Sequence, residues 1–256
     1  MPQNIAEDYE LTMIAMIIAF FVAVALLLCW LSLSSRTRPR LLQLEGVVPP
    51  FLGLPAILFS LSAALLATSV WENYNMANKS IRSEASGLIT IIDLAQTIPS
   101  IQKIPLADYA RSYARSIIEE EWKTLSAHGK PAPSSQREFE ALRSATFRAV
   151  DSLNNNAESK ALMTAMQTVN DGRKARLSFV SFDVHSIRWY GILLLAVLVQ
   201  LAAALVHITK PKALCVAMGI TTLTVLIPIC TIALTLSSPY IGIISVSHSP
   251  LMALMQ

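Results

Sequence analysis

Four stretches of the chain are apolar, contain no charged residue and are each at least 20 residues long. A helix needs roughly 20 such residues to cross the hydrocarbon core of a bilayer. Lipid offers no hydrogen-bond partner to an open backbone, so each stretch is predicted to be a transmembrane helix. The predicted spans are residues 11–33, 47–71, 189–208 and 213–236. The chain is therefore predicted to be a multi-pass membrane protein.

The charged residues are concentrated between the second and third predicted spans. Residues 72–188 hold 28 of the 37 Asp, Glu, Lys and Arg residues. We therefore divide the chain into a membrane hairpin (1–71), an extramembrane domain (72–188), a second membrane hairpin (189–236) and an apolar C-terminal tail (237–256). Both signs of charge are mixed within the extramembrane domain and the net charge is only +3, so a nucleic-acid partner is not expected.

Apolar residues recur at helical spacing through the extramembrane domain. The second span is predicted to continue as one long helix that stops near Pro99, and a second helix is predicted to begin at Pro105. Proline fits both places because it ends one helix and is tolerated in the first turn of the next.

Two more helices are predicted after the proline-containing turn at 130–134. One begins at Ser135, which with Glu138 makes a capping-box pattern. The other begins at Ala157, with Gly172 as a candidate break, and can feed into the third span. No β-rich section intervenes, so the predicted fold class is all-α: four transmembrane helices with a central extramembrane helical bundle.

The positive residues of the short loops predict the orientation in the membrane. Arg36, Arg38 and Arg40 follow the first span, and Lys210 and Lys212 separate the third from the fourth. Both loops are predicted to be cytoplasmic. With four spans, both termini and the extramembrane domain are then predicted to lie outside.

The sequence has no familiar catalytic or metal-binding motif. It contains no Gly-rich phosphate loop, His-Glu-x-x-His, Gly-x-Ser-x-Gly or Cys-x-x-Cys pattern. The histidines are far apart, and all three cysteines lie in apolar stretches. We predict no catalytic, cofactor-binding or metal site and expect no enzyme activity. The uncharged spans also disfavour a pump or a proton-driven carrier.

Neutral polar side chains occur within the spans and leave two alternatives open. They are Ser60, Ser62, Thr68 and Ser69 in the second span, Gln200 in the third, and Thr221, Thr222, Thr224, Thr231 and Thr235 in the fourth. They either serve helix packing or line a pore. Four helices from one chain hardly enclose a pore, so the second alternative requires an oligomer.

Several short motifs occur in a characteristic order relative to the spans. They are Glu84-Ala85 with Leu88, the run from Tyr113 to Glu121-Trp122, Arg173 with Arg176 and Leu177, and the tail segment Ser238-Pro239-Tyr240-Ile241-Gly242. In this order the chain resembles the bacterial bestrophin-like domain family of unknown function. That family is remotely related to the bestrophins, which are pentameric anion channels with a cytosolic helical domain.

The resemblance implies a location in the cell membrane, here the bacterial inner membrane, and a set of family-motif residues: Glu84, Glu121, Trp122, Arg173 and Arg176. In one hypothesis Glu84 and the arginines form an interhelical ion pair that fixes the bundle. In the other they line a vestibule and select ions by charge. Glu121-Trp122 is expected to anchor the second helix by burying the indole.

Two functions follow as hypotheses. The first is a homo-oligomeric channel that conducts small ions, with anions implied by the resemblance and membrane lipid as a further partner. The alternative is a membrane-anchored helical module that binds a partner protein or senses the envelope without transport. The external position predicted from the loop charges conflicts with the cytosolic domain of bestrophins.

Overall fold

The computed structural model describes residues 3–43, 53–128, 130–154, 156–178, 186–234 and 246–255. The helices are α1 (Gln3–Leu33), α2 (Arg38–Leu42), α3 (Gly53–Thr97), α4 (Leu106–Ser116), α5 (Trp122–His128), α6 (Pro133–Ser152), α7 (Ala157–Ser178), α8 (Ser186–Val206), α9 (Pro211–Ala233) and α10 (Ser249–Met252). Every regular element among the described residues is helical, so the prediction of an all-α fold is confirmed.

Four helices, α1, α3, α8 and α9, are long and apolar enough to cross a membrane, and they lie on the four predicted spans. The limits differ by a few residues. The third span ends at Val206 and the fourth begins at Pro211, because proline is preset for the first helical position. The predicted start of the second span, at 47–52, lies outside the described residues.

Helix α3 is one uninterrupted helix of 45 residues, as the apolar spacing predicted. At 1.5 Å per residue it is about 68 Å long, roughly twice the hydrocarbon thickness of a bilayer. It ends immediately before Ile98, whose backbone is extended (φ −93°, ψ 108°). The following Pro99 disfavours the helical conformation at this position.

The chain forms two compact units. The membrane unit comprises residues 7–71 and 183–236, and the extramembrane unit comprises residues 1–6, 72–182 and 237–256. The largest apolar cluster of the membrane unit includes Phe21, Leu66 and Ile229. Many large apolar side chains on these helices point outward, as expected of helices that face lipid.

The core of the extramembrane unit is built from the second half of α3 with α4, α6 and α7. Ile81, Leu106, Leu142 and Leu162 are all completely buried in it. The C-terminal tail contributes to the same core, because Val246, Leu251 and Leu254 are buried among these residues. This packing accounts for the apolar character of the described part of the tail.

Two details of the sequence interpretation are wrong. Helix α6 begins at Pro133, with extended Ala132 as its N-cap, so the predicted capping box does not form. The Ser135 hydroxyl instead donates to the Ala132 carbonyl at 3.1 Å. Gly172 does not break α7, which continues to Ser178.

Candidate functional site

A π-helical turn, Ile117–Glu121, joins α4 to α5. Such a turn inserts one residue into an α-helix and changes the direction of the side chains that follow. Glu119 and Glu120 are exposed, whereas Glu121 has no exposed surface. The turn therefore delivers one carboxylate of an acidic triplet to the interior of the extramembrane unit.

Glu121 joins a buried cluster of charges that connects three helices. On α7, Arg176 donates from Nε to Glu84 Oε2 on α3 at 2.7 Å and from Nη2 to Glu84 Oε1 at 3.2 Å. Both side chains are completely buried. Paired contacts between a guanidinium and a carboxylate are among the stronger hydrogen bonds in proteins and also fix the relative geometry.

Arg173, one helical turn before Arg176, gives the cluster its second positive charge. Its Nη1 lies 3.2 Å from Glu121 Oε2, and Arg176 Nη2 lies 3.4 Å from the same oxygen. Two arginines therefore share Glu121, and Glu84 faces Arg176. With two positive and two negative side chains, the cluster is electrically balanced, which is the condition under which buried charges are tolerated.

Tyr113 connects the two halves of the cluster. Its hydroxyl donates to Glu84 Oε1 and accepts from Arg173 Nη1 at 2.9 Å. The Arg173 guanidinium also lies 5.5 Å from the centre of the Tyr113 ring and 5.1 Å from that of Phe139. Both distances are within the range of cation–π attraction.

These surroundings shift the ionisation of the cluster. Burial, and then the Glu84 carboxylate, raise the pKa of Tyr113 well above its usual value. Burial alone would lower the pKa of Arg176, but Glu84 and Glu121 outweigh it and raise that pKa well above its usual value. Over the ordinary pH range Tyr113 therefore stays neutral and Arg176 stays positively charged.

One carboxylate oxygen is left over. Glu121 Oε1 is buried and has no hydrogen-bond partner among the described residues. A buried acceptor without a hydrogen bond is energetically unfavourable. The other oxygen of the Glu121 carboxylate, Oε2, contacts both arginines.

A glycine allows α7 to come this close to α3. A Cβ added to Gly172 would lie 2.7 Å from the backbone nitrogen of Glu84 and 2.8 Å from its Cβ. Gly87 on α3 is similarly constrained, because its added Cβ would lie 2.7 Å from Cγ2 of Val169 on α7. The two glycines set the distance at which Arg176 meets Glu84.

Four of the five family-motif residues come together in the cluster: Glu84, Glu121, Arg173 and Arg176. Trp122 does not join them. It is partly buried, packs against the extramembrane core and contacts the His248 ring edge-on at 5.4 Å between ring centres.

The sequence interpretation missed three contributors. Tyr113 belongs to one of the family motifs, but the sequence assigned it no role. The side-chain oxygen of Gln136 accepts a hydrogen bond from Arg173 Nη2 at 3.0 Å, and no sequence pattern predicted this contact. Gly172 was read as a helix break. Its position near Arg173 and Arg176 could have suggested close helix packing instead.

The membrane unit contains a smaller polar contact between three helices. Gln200 on α8 is completely buried, and its side-chain nitrogen donates to the Phe21 carbonyl of α1 at 3.3 Å and to the Thr222 hydroxyl of α9 at 2.9 Å. Other span hydroxyls bond within their own helix. Those of Ser60, Thr68, Thr221, Thr224 and Thr231 each donate to the carbonyl four residues earlier.

No group of three or more His, Cys, Asp or Glu side chains in the described part of the chain is arranged to hold a metal ion. The charge cluster is closed to solvent and every one of its charges has an opposite partner. Chemically, the arrangement is suited to holding α3, α4 and α7 together.

A sequence model of the bestrophin-like domain family matches residues 19–251 of the chain. Two solved structures share its fold. One is the crystal structure of a membrane protein variant (TM-score 0.67, 9% identity, 91% of this chain and 95% of the other). The other is that of a variant of a bacterial bestrophin homologue from Klebsiella pneumoniae (TM-score 0.63, 9% identity, 91% of this chain and 96% of the other). No curated protein matches the chain.

Proposed function

The chain belongs to the bestrophin-like domain family, and from that premise we propose that it forms an oligomeric membrane channel for small anions. The observation that carries the proposal is the shared fold: 91% of the chain superimposes on a bacterial bestrophin homologue. Bestrophins conduct anions, which supplies the substrate class.

A pore in this proposal lies between copies of the chain. The described interior of the membrane unit is filled mainly by apolar side chains, with the amide of Gln200 among them, so the described residues form no aqueous path within one copy. Exposed faces of α3 carry both large apolar side chains and the hydroxyls of Ser60 and Thr68. Apolar constrictions can gate ions without any charge in the membrane.

We assign the charge cluster a structural role rather than a place in the ion path. The arginines have at most 3% of their surface exposed and each faces a carboxylate. A passing anion would have to displace Glu84 or Glu121 to reach them. Burial and pairing thus support the ion-pair hypothesis over the vestibule hypothesis.

The sidedness of the extramembrane unit is part of the proposal. The loop charges favour an external position, while the relation to bestrophins favours the cytosol. Thiol labelling of a Lys130→Cys variant that lacks the three native cysteines separates the two, because Lys130 is exposed. Labelling in intact cells by a membrane-impermeant maleimide supports the external position, and labelling only after lysis supports the cytosolic one.

The first test of the channel is the mass of the purified complex in lipid nanodiscs, corrected for lipid. An assembly of about four or more copies is required for an axial pore, and a monomer contradicts the proposal. The oligomer is then placed in planar bilayers with unequal chloride concentrations on the two sides. A reversal potential of the current near the equilibrium potential of chloride supports an anion channel. A stable oligomer without conductance contradicts the proposal.

One observation favours the alternative of an anchored interaction module. Phe147 and Met163 remain 46% and 39% exposed and line a groove of about 530 Å³ on the extramembrane unit, next to the charged Arg143, Asp171 and Lys174. Exposed apolar surface rimmed by charge is typical of partner-binding sites. If the oligomer shows no conductance, a Phe147→Ser variant tests whether a protein that co-purifies with the unmodified chain is held by this groove.

A further inference from the structure

An open groove runs along the surface of the membrane unit between α3 and α8. Its floor is formed by Leu66 and Ile192, which belong to the largest apolar cluster of this unit and are almost completely buried. Two small residues, Ser62 on α3 and Gly191 on α8, also line it. A Cβ added to Gly191 meets nothing within 4 Å. Small residues between larger ones thus leave a depression of about 560 Å³.

One charged residue lines this groove. Arg188 lies in the first turn of α8 and is exposed. It forms no ion pair with any other residue that the structure describes. No carboxylate is present among the described residues that line the groove. The Arg188 guanidinium therefore places a net positive charge at one end of an otherwise neutral depression.

Arg188 lies at the level expected for lipid headgroups. Helix α3 leaves the membrane unit at Trp71 and the chain re-enters this unit at residue 183, just before α8, so these two helix ends lie on the same side of the membrane. Trp71 and Tyr190 are exposed there, as aromatic residues are at the membrane surface. From Arg188 the lining residues of α8 extend to Leu195, about 10 Å along the axis. This length fits within the roughly 15 Å depth of one leaflet.

We propose that this groove is a binding site for one phospholipid with an anionic headgroup. One acyl chain lies in the depression against Leu66 and Ile192, and the lipid phosphate accepts hydrogen bonds from the Arg188 guanidinium, which can offer two parallel N–H donors. The occupant is a lipid because the groove opens on the face of membrane-length helices, where hydrocarbon is the solvent.

The charge of the groove selects the headgroup. A zwitterionic headgroup brings its own cation towards Arg188, whereas an anionic headgroup carries only charge that Arg188 attracts. Basic pockets between transmembrane helices bind anionic lipids for this reason. The inference requires the membrane location of the chain but does not depend on ion conduction.

A second groove of the membrane unit provides an internal comparison. It lies between α1 and α8, has a volume of about 450 Å³ and is lined by apolar residues that include Met13, Phe20 and Leu194. No charged residue is among its described lining residues. An acyl chain in this second groove finds no partner for its headgroup. We therefore expect only the groove with Arg188 to distinguish anionic from zwitterionic lipids.

The test uses the purified full-length chain in detergent, stripped of lipid, and counts bound lipids by native mass spectrometry. Phosphatidylglycerol and phosphatidylcholine with the same acyl chains are added separately. We expect one tightly bound phosphatidylglycerol per chain, with an affinity about fivefold above that of phosphatidylcholine. Arg188→Gln should remove this preference, and Arg188→Lys should keep part of it.

Two further variants separate the acyl-chain contacts from general electrostatic attraction. Gly191→Phe fills the groove and should weaken the binding of both lipids. Gly191→Leu replaces it if the larger side chain prevents folding. Lys212→Gln removes an exposed positive charge from the first turn of α9 and should change neither affinity. Each variant is first checked for monodispersity and an unchanged melting temperature.

Several results would overturn the proposal. Equal losses in Arg188→Gln and Lys212→Gln would mean that any positive charge of the chain attracts anionic lipid. A preference that survives Arg188→Gln would place the headgroup elsewhere. Unchanged binding in the Gly191 variants would exclude the acyl chain from the groove. Displacement of the lipid by glycerol phosphate, which has no acyl chain, would assign Arg188 to a soluble anion.

Discussion

The two units of this protein differ in the polar groups that their helices bring together. The extramembrane unit encloses four charges, on Glu84, Glu121, Arg173 and Arg176, whereas α8 and α9 bring together the neutral amide of Gln200 and the hydroxyl of Thr222. A buried charge must be offset by an opposite charge, but a neutral amide needs only hydrogen bonds. The difference teaches that the extramembrane bundle depends on each member of its cluster, while the membrane bundle depends mainly on apolar packing.

A change at Arg176 is expected to cause the largest loss of stability and therefore tests the comparison most directly. Arg176→Met leaves Glu84 and part of Glu121 without their positive partner at full burial. We expect a loss of about 3–5 kcal/mol in the free energy of unfolding, measured by denaturant titration of the purified protein in micelles. Lys174→Met, an exposed change on the same helix, is the control and should cost at most about 0.5 kcal/mol. Equal effects of the two changes would contradict a structural cluster.

The approach of α7 to α3 should be nearly as sensitive. Gly172→Ala places a methyl group against the backbone of Glu84, so the helices must separate and the contacts of Arg176 must lengthen. We expect a loss of about 1–3 kcal/mol in the same titration. Gly219→Ala in α9 is the matched control, since its added Cβ meets nothing within 4 Å. A stable Gly172→Ala variant would show that α7 tolerates displacement.

The sequence predicted the elements better than it predicted the site. The spans are marked by uncharged stretches long enough to cross a membrane, and the continuation of α3 is marked by its apolar spacing. Both are local features of the sequence, so the sequence alone predicted these helices. The cluster depends on contacts between residues as far apart as Glu84 and Arg176, and no local pattern states which charges will meet. The sequence does not predict the π-helical turn at 117–121 either. Glu119, Glu120 and Glu121 are the same residue type, and only the change of helical register buries one of them.

Tyr113 probes the hydrogen bonds of the cluster without changing its charge. Tyr113→Phe removes the hydroxyl that bonds Glu84 and Arg173. Because hydrogen bonds to charged groups are worth about 1.5–3 kcal/mol, and the ring stays in place, we expect a loss near the lower value. Tyr109→Phe, a half-buried tyrosine of the same helix, should change stability little. The reverse order of the two effects would contradict the assigned contacts.

The same variant carries a pH test. Burial and Glu84 raise the pKa of Tyr113, so above about pH 10, where an ordinary tyrosine ionises, the unfolded chain loses a proton that the folded chain keeps. Stability must then fall as pH rises. The melting temperature of the unmodified protein should drop more steeply between about pH 9 and 11 than that of Tyr113→Phe. Parallel curves would contradict the raised pKa.

The smallest effect is expected in the membrane unit. Gln200→Leu removes the contacts to Phe21 and Thr222, yet the Thr222 hydroxyl keeps its bond to the Met218 carbonyl. Interhelical hydrogen bonds in membranes average about 0.6 kcal/mol, so we expect a loss below about 1 kcal/mol in the same titration. A loss as large as that of Arg176→Met would abolish the contrast between the two units. Gly191→Ala on the same helix, which meets open space, serves as the control.

The docking of the C-terminal tail has a consequence for how the protein is made. Val246, Leu251 and Leu254 complete a core whose other members lie in α3 to α7, but they are synthesised only after α8 and α9. The extramembrane unit can therefore not close its core on the ribosome as its own helices emerge. It must wait until the second membrane hairpin has been translated, so the last two spans are synthesised before the unit that comes ahead of them in the chain can complete its core.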